Sequence, residues 1–192
     1  MSVTYYRSFK THPNNSKAKQ QRAEPRKEGL KLMPPAEPTA VREEKADAAP
    51  QKRNIFGYIF HSGPQALSVT VPGDAVPFRL GSHTVLSGLQ HEENSPDVKI
   101  EEAGIYEIGY SVVMQAANAV HAALSVQADG QTVEGSVTAR LIDTHEAVYS
   151  AVMLAELKAG TTLRLVITSG TAAGVQLSDS GVSVSLLIKK LD

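Results

Sequence analysis

The stretch Ile105–Met114, with the sequence IYEIGYSVVM, decides the fold because its apolar residues recur with a period of two. Every second side chain from Tyr106 to Met114 is large and apolar, whereas those between them, such as Glu107 and Ser111, are smaller or polar. Successive side chains of a strand point to opposite faces of a sheet. The pattern therefore predicts a β-strand with one buried face.

The same period continues on both sides of this stretch, with turn signals every eight to twelve residues or so. Pro77 predicts an edge or bent strand, Asp129-Gly130 predicts a two-residue hairpin turn, and residues 90–97 predict a polar loop. The other predicted strands are Ile55–Gly63, Ala66–Val71, Ala75–Leu80, 83–89, Val120–Ala128, 131–137, Ala147–Leu157, 161–169 and Val182–Leu191. With no convincing helix, about nine or ten strands favour an all-β, antiparallel jelly-roll sandwich.

Two of these strands carry further expectations. Residues 147–157 are apolar on both faces, so we expect the core to cover one face and another element or subunit to cover the other. In the last strand the alternation predicts that Val182 and Val184 point inward and that Ser183 and Ser185 point outward.

Composition changes sharply near Asn54. Residues 1–54 contain twelve Lys and Arg against six Asp and Glu, a net charge of +6, whereas residues 55–192 contain seven against fourteen, a net of −7. Six of the ten prolines lie in the first part, where large apolar residues are scarce. Such a segment cannot bury enough apolar surface to offset its ordering entropy. We therefore predict a disordered basic tail over residues 1–54 and one folded domain over residues 55–192.

Composition also limits the class of protein. The chain has no cysteine, which excludes a disulfide framework and thiolate chemistry. No apolar run is long enough for a membrane-spanning helix, so we expect no membrane association. Residues 1–32 lack the apolar core of a secretory signal, so we expect none.

Five segments of the predicted domain carry a family resemblance through their order and spacing. They are Gly57-Tyr58-Ile59-Phe60, residues 103–108 (AGIYEI), 128–131 (ADGQ), 157–163 (LKAGTTL) and 183–191 (SVSLLIKKL). Together they resemble the complement/tumour-necrosis-factor-like jelly roll. They are most similar to the C-terminal domain of collagen-like spore-surface (exosporium) glycoproteins of bacilli. The resemblance covers roughly residues 55–191.

This resemblance implies a ten-stranded jelly roll that forms a homotrimer and a location on the spore surface after synthesis in the mother-cell cytoplasm. It also suggests Tyr110, Tyr149 and Leu187 as residues of the trimer seam, with a plain core role as the alternative for each. The chain departs from the family in two respects, one of which is that its tail lacks the anchoring motif of the collagen-like members. Residues 1–54 contain a single glycine, Gly29, and so cannot form a Gly-X-Y stalk.

The start of the tail is dense in aromatic residues for a segment predicted to be disordered. Tyr5, Tyr6, Arg7 and Phe9 lie within five positions. Our hypothesis is that they form a docking motif for a spore-coat, exosporium or filament protein. Binding to nucleic acid is not expected, because glutamates dilute the basic residues after Glu24.

Two charge-dense segments are candidates for a metal site, one with His91 and Glu93 and the other with Asp143 and His145. Nothing in their spacing fixes a coordination geometry, so a solvated loop is the favoured interpretation. No nucleophile motif or phosphate loop occurs, and we expect neither a cofactor nor an enzymatic activity. The alternative to a structural trimer is a trimeric ligand- or carbohydrate-binding module, which the absence of tryptophan disfavours.

Overall fold

The computed structural model describes residues 54–192. The predicted disorder of the tail and its docking residues Tyr5, Tyr6, Arg7 and Phe9 lie outside this range. The described strands are β1 Phe56–Ser62, β2 Ala66–Val69, β3 Val76–Pro77, β4 Ser82–Ser87, β5 Leu89–His91, β6 Val98–Ile100, β7 Gly104–Ala116, β8 Val120–Ala128, β9 Gln131–Thr132, β10 Thr138–Ile142, β11 Ala147–Leu157, β12 Thr162–Ser169, β13 Ala173–Leu177 and β14 Val182–Lys190. No helix within residues 54–192 has the length and apolar character needed to cross a membrane.

The strands form two antiparallel sheets that pack face to face. Sheet A has the order β2-β13-β7-β14-β1-β4, with β11 paired along β7. Sheet B has the order β10-β8-β12-β6-β5, with β3 paired to β12 and β9 to β8. The predicted all-β, antiparallel jelly-roll sandwich is confirmed.

The core lies between the two sheets and is built from alternate residues of the longest strands. Tyr106, Ile108, Val112 and Met114 of β7 have no exposed surface, and Tyr110 is 3% exposed. Full burial of an aliphatic side chain stabilises a fold by about 1.5–3 kcal/mol. The alternation that predicted β7 is therefore also the arrangement that holds the sheets together.

The predicted hairpin turn occurs between β8 and β9. Ala128 pairs with Gln131, which leaves Asp129 and Gly130 as the two turn residues. Their φ angles are 49° and 81°, as a type I′ turn requires of both central residues. Aspartate and glycine tolerate this left-handed backbone better than most residues, so the dipeptide determines the register of the hairpin.

Three predicted boundaries are wrong. The polar loop begins at Glu92 rather than Gln90, because β5 extends through His91. The strand predicted over residues 75–80 is limited to Val76–Pro77. The strand predicted over residues 131–137 ends at Thr132. Three short strands, β6, β10 and β13, were not predicted, since three to five residues give too little periodicity to separate a strand from a loop.

The last strand departs from the predicted alternation at its start. Ser183 is fully buried, whereas Val182 is 42% exposed. The register between β1 and β14 shifts between His61 and Ser62, and such a bulge reverses the faces on one side of it. The Ser183 hydroxyl lies 2.9 Å from the carbonyl oxygen of Gly63 and 3.3 Å from that of His61, so it can donate a hydrogen bond inside the bulge.

Candidate functional site

The outward face of sheet A carries the largest group of exposed apolar side chains on neighbouring strands. On β11, Val148, Val152 and Leu154 are 66%, 68% and 63% exposed. Their strand neighbours Tyr149 and Met153 point the other way and are buried. The strand therefore has two apolar faces, as its sequence predicts, and within the described chain only the inner face is covered.

This exposed surface continues across the sheet as one row of residues in register. Val152 pairs with Gly109, and Gly109 pairs with Leu187. Leu187 pairs with Tyr58, which in turn pairs with Val85. The row runs over five strands, from β11 through β7, β14 and β1 to β4, and we call it the apolar row.

A second row lies beside the apolar row and is mainly polar. Ser150, Ser111 and Ser185 are aligned on β11, β7 and β14. Phe60 follows on β1, and its ring stacks on Tyr58 with centroids 5.8 Å apart. The outward face therefore offers apolar contact area next to hydroxyl groups, a combination typical of protein contact surfaces.

One long edge of sheet A is also unpaired within the described chain. β11 has eleven residues, and its only strand partner in the described sheets is β7. A long edge strand with exposed apolar side chains is prone to pair or pack with another chain. The edge and the apolar row are adjacent, so one contacting copy could cover both.

The predicted seam residues differ in what they can offer to a partner. The Tyr110 hydroxyl donates a hydrogen bond to Thr138 Oγ1 at 2.8 Å or to the Ser136 carbonyl at 3.1 Å. Burial raises the pKa of Tyr110 and of Tyr149 above the usual range. Both side chains are thus core residues of one chain. Leu187, at 43% exposed, is the one seam candidate with substantial free surface.

The metal candidates are not brought together. Among residues 54–192, no three His, Cys, Asp or Glu side chains are arranged to hold a metal ion. Glu93, Asp143 and His145 are exposed. The Asp143 carboxylate accepts a hydrogen bond from the backbone N–H of Thr144 at 2.7 Å.

His91 has a more structural environment than the other candidates. Its Nε2 atom lies 3.2 Å from the Ser95 carbonyl oxygen, and its ring meets His83 edge-on at 5.8 Å. Burial lowers the pKa of His91, and the nearby His83 adds to this effect. A neutral imidazole that donates to a carbonyl stabilises the loop, and it does not require a metal.

The sequence indicated that β11 has two apolar faces, but it did not indicate which residues of the other strands align with it across the sheet. Tyr58 and Val85 belong to strands more than 50 residues away in the sequence, and only the strand order brings them into line with Val152. The available signal was the local apolar pattern of each strand, which gives no information on pairing.

Comparison with known proteins gives one matching family and several solved structures of similar fold. A family model described as the BclA C-terminal domain matches residues 57–192. The solved Eiger TNF of S. frugiperda is 14% identical, with a TM-score of 0.52 over 73% of this chain and 94% of its own. Murine APRIL at pH 8.0 is 16% identical, with a TM-score of 0.48 over 72% of this chain and 99% of its own. No curated protein sequence matches significantly.

Proposed function

This chain belongs to the BclA C-terminal domain family and folds as a TNF-like jelly roll, and on that premise we propose that it is a structural, non-enzymatic surface protein of a bacterial spore. The domain forms a homotrimer in the outermost layer, the exosporium, or in an appendage of the spore. The N-terminal tail attaches the trimer to a protein of that layer.

The observation that best supports a trimer is the exposed apolar surface formed by the outward face of β11 and the apolar row. Burying each of Val148, Val152 and Leu154 would stabilise an assembly by about 1–2 kcal/mol, given their exposed fractions. The unpaired edge of β11 provides a further reason for association, because closure of an oligomer removes exposed strand edges.

The geometry of the surface favours a ring over a symmetric pair. The apolar row lies on the face of sheet A, whereas the unpaired backbone of β11 lies on its edge. Contact between the face of one copy and the edge of the next is heterologous, and a heterologous contact whose rotation closes gives a ring, whereas a symmetric pair needs an isologous contact. Three copies are the number that the family resemblance implies.

Charge supports the role of the tail as an attachment segment. Residues 1–54 carry a net charge of +6 and residues 55–192 a net charge of −7. The tail is thus suited to an acidic protein surface, including that of neighbouring copies, and salt would weaken such contacts. The aromatic group Tyr5, Tyr6 and Phe9 adds apolar anchors next to Arg7, a composition typical of binding hot spots.

The test of attachment is the location of a tail deletion on spores. Residues 2–12 are deleted from the chain, and a matched deletion of residues 38–48 serves as the control. Immunogold labelling should place the full chain and the control on the spore surface, whereas the first deletion should be absent although it is produced. Retention of the first deletion would overturn the docking role, and absence of the full chain would overturn the location.

A further inference from the structure

A cleft of about 770 Å³ opens at the end of β1, between the start of β2 and the segment around β3. Its volume lies within the range of small-ligand sites, about 300–1,000 Å³. The cleft is separate from the apolar row, since none of the five residues of that row lines it. The proposed trimer contact therefore does not explain it.

Two residues that line this cleft each carry a buried polar atom without a partner. His61 Nε2 and Gln65 Oε1 are both shielded from solvent and make no hydrogen bond within the described residues. A buried polar atom without a partner costs about 1–3 kcal/mol, and such atoms call for an explanation. Both atoms belong to residues that line the same cleft, so rotation of the two side chains toward the cleft would let one bound molecule supply both partners.

The His61 ring lies close to a neighbouring glycine. A Cβ atom added at Gly81 would lie 3.0 Å from His61 Nδ1, so a side chain at this position would shift the imidazole by a few tenths of an ångström. The bulge described above fixes the other side, where the Ser183 hydroxyl is bonded to the backbone of residues 61–63. These bonds fix the backbone that carries the imidazole at the cleft wall.

The charge of the residues that line the cleft favours an anion as the ligand. Arg79 is exposed and forms no salt bridge among residues 54–192. The cleft lining contains no Asp or Glu. An arginine guanidinium binds a carboxylate through two parallel hydrogen bonds, and its charge makes them stronger than neutral ones. A carboxylate is thus the group that Arg79 is best suited to bind.

The remaining wall is rigid and apolar. Pro64, Pro77 and Pro96 line the cleft together with the buried Leu67. Prolines have a fixed φ angle and little freedom to lose, so the wall offers a preformed surface for the C–H groups of a ligand. Such a combination of apolar walls and a few polar groups is typical of small-ligand sites.

We propose that this cleft binds an acidic monosaccharide, a pyranose that carries a carboxylate. Arg79 holds the carboxylate, and the proline wall contacts the C–H groups of the ring. His61 and Gln65 pair with hydroxyl groups after both side chains turn toward the ligand. A hydroxyl group both donates and accepts hydrogen bonds, so it can satisfy the imidazole in either tautomer. The proposal goes beyond the structural role and does not depend on the oligomeric state.

The test is isothermal titration calorimetry of the full chain with glucuronic acid, glucose and acetate. Glucuronic acid should bind, and glucose, which lacks the carboxylate, should bind at least about tenfold more weakly. Acetate should be similarly weak, because it has no hydroxyl groups. Absence of glucuronic acid binding, or equal binding of either control, would overturn the proposal.

Single-residue variants then test which residues bind glucuronic acid. Arg79→Gln should weaken glucuronic acid binding about tenfold, whereas Arg140→Gln, a matched change of an exposed arginine outside the cleft, should leave it unchanged. Gly81→Ala should weaken binding with Arg79 intact, because the new methyl group displaces His61. Thermal unfolding verifies that each variant is folded. Unchanged affinity in a folded Arg79→Gln variant would contradict the assignment.

Discussion

Val152 and Leu187 flank Gly109 from opposite sides on the outward face of sheet A. A Cβ atom on that glycine would lie 3.5 Å from Val152 Cγ2 and 3.9 Å from Leu187 Cβ. At this position β7 contributes no side chain, so the two exposed aliphatic groups border a shallow apolar depression. This relationship makes the face a suitable receptor for a protruding side chain of another copy.

Substitution of Val152 by aspartate should break the trimer and leave the fold intact. Val152 is 68% exposed, so the monomer tolerates the carboxylate, whereas the interface would have to desolvate an unpaired charge at a cost of several kcal/mol. Association should weaken by about a hundredfold or more. Light scattering after size exclusion gives the mass. The control Val71→Asp, at a valine 53% exposed outside the apolar row, should retain the native mass.

Substitution of Tyr110 by phenylalanine should lower the stability of the domain without changing its mass. The change removes the donor to Thr138 Oγ1 and Ser136, which should cost about 1–2 kcal/mol in the free energy of unfolding. Urea denaturation at fixed protein concentration measures it. Tyr58→Phe should change stability by less than about 0.5 kcal/mol, because the Tyr58 hydroxyl has no hydrogen bond among residues 54–192. A monomeric Tyr110→Phe protein would instead place Tyr110 in the seam.

Three tyrosines should ionise late in an alkaline titration. Burial raises the pKa of Tyr106, Tyr110 and Tyr149 in the folded state. Each contributes stability that is complete below the unfolded pKa of about 10 and is lost as pH rises through the folded pKa. Phenolate absorbance should therefore show three groups that titrate with unfolding. Their free titration in a protein that remains folded would contradict their burial.

Acid should destabilise the domain partly through His91. Burial lowers the pKa of this residue in the folded state, against opposing contributions from the Ser95 and Leu80 carbonyls and Glu93. The contribution of His91 to the free energy of unfolding is therefore complete above its unfolded pKa of about 6.5 and is lost as pH falls below that value. Urea denaturation at about pH 7.5 and about pH 5 should show that the free energy of unfolding falls less in His91→Gln than in the native chain. Equal losses would exclude His91 as the cause.

The sequence predicted the fold class because each long strand carries its own pattern. β7 and β8 alternate over thirteen and nine residues, β11 is apolar on both faces over eleven residues, and the turn at Asp129-Gly130 is encoded by two residues. The short strands β6, β10 and β13 could not be predicted, since three to five residues carry too little periodic signal. The bulge at Ser183 also escaped prediction, because a single extra residue leaves no periodic signal.

The candidate surfaces were predictable only in part. The two apolar faces of β11 are visible in the sequence, but the apolar row depends on the strand order that aligns Tyr58, Leu187 and Val152. The cleft of His61, Gln65 and Arg79 was not predicted at all, since it results from packing of three separate segments. Of the seam candidates taken from the resemblance, the structure gives Leu187 an exposed side chain and places Tyr110 and Tyr149 in the core.

Sedimentation equilibrium of the full chain tests the central claim most directly, because it reports mass without assumptions about shape. A homotrimer gives a species of about 61.5 kDa, three times the chain mass of 20.5 kDa. A single species of 20.5 kDa across the concentration range would rule the homotrimer out.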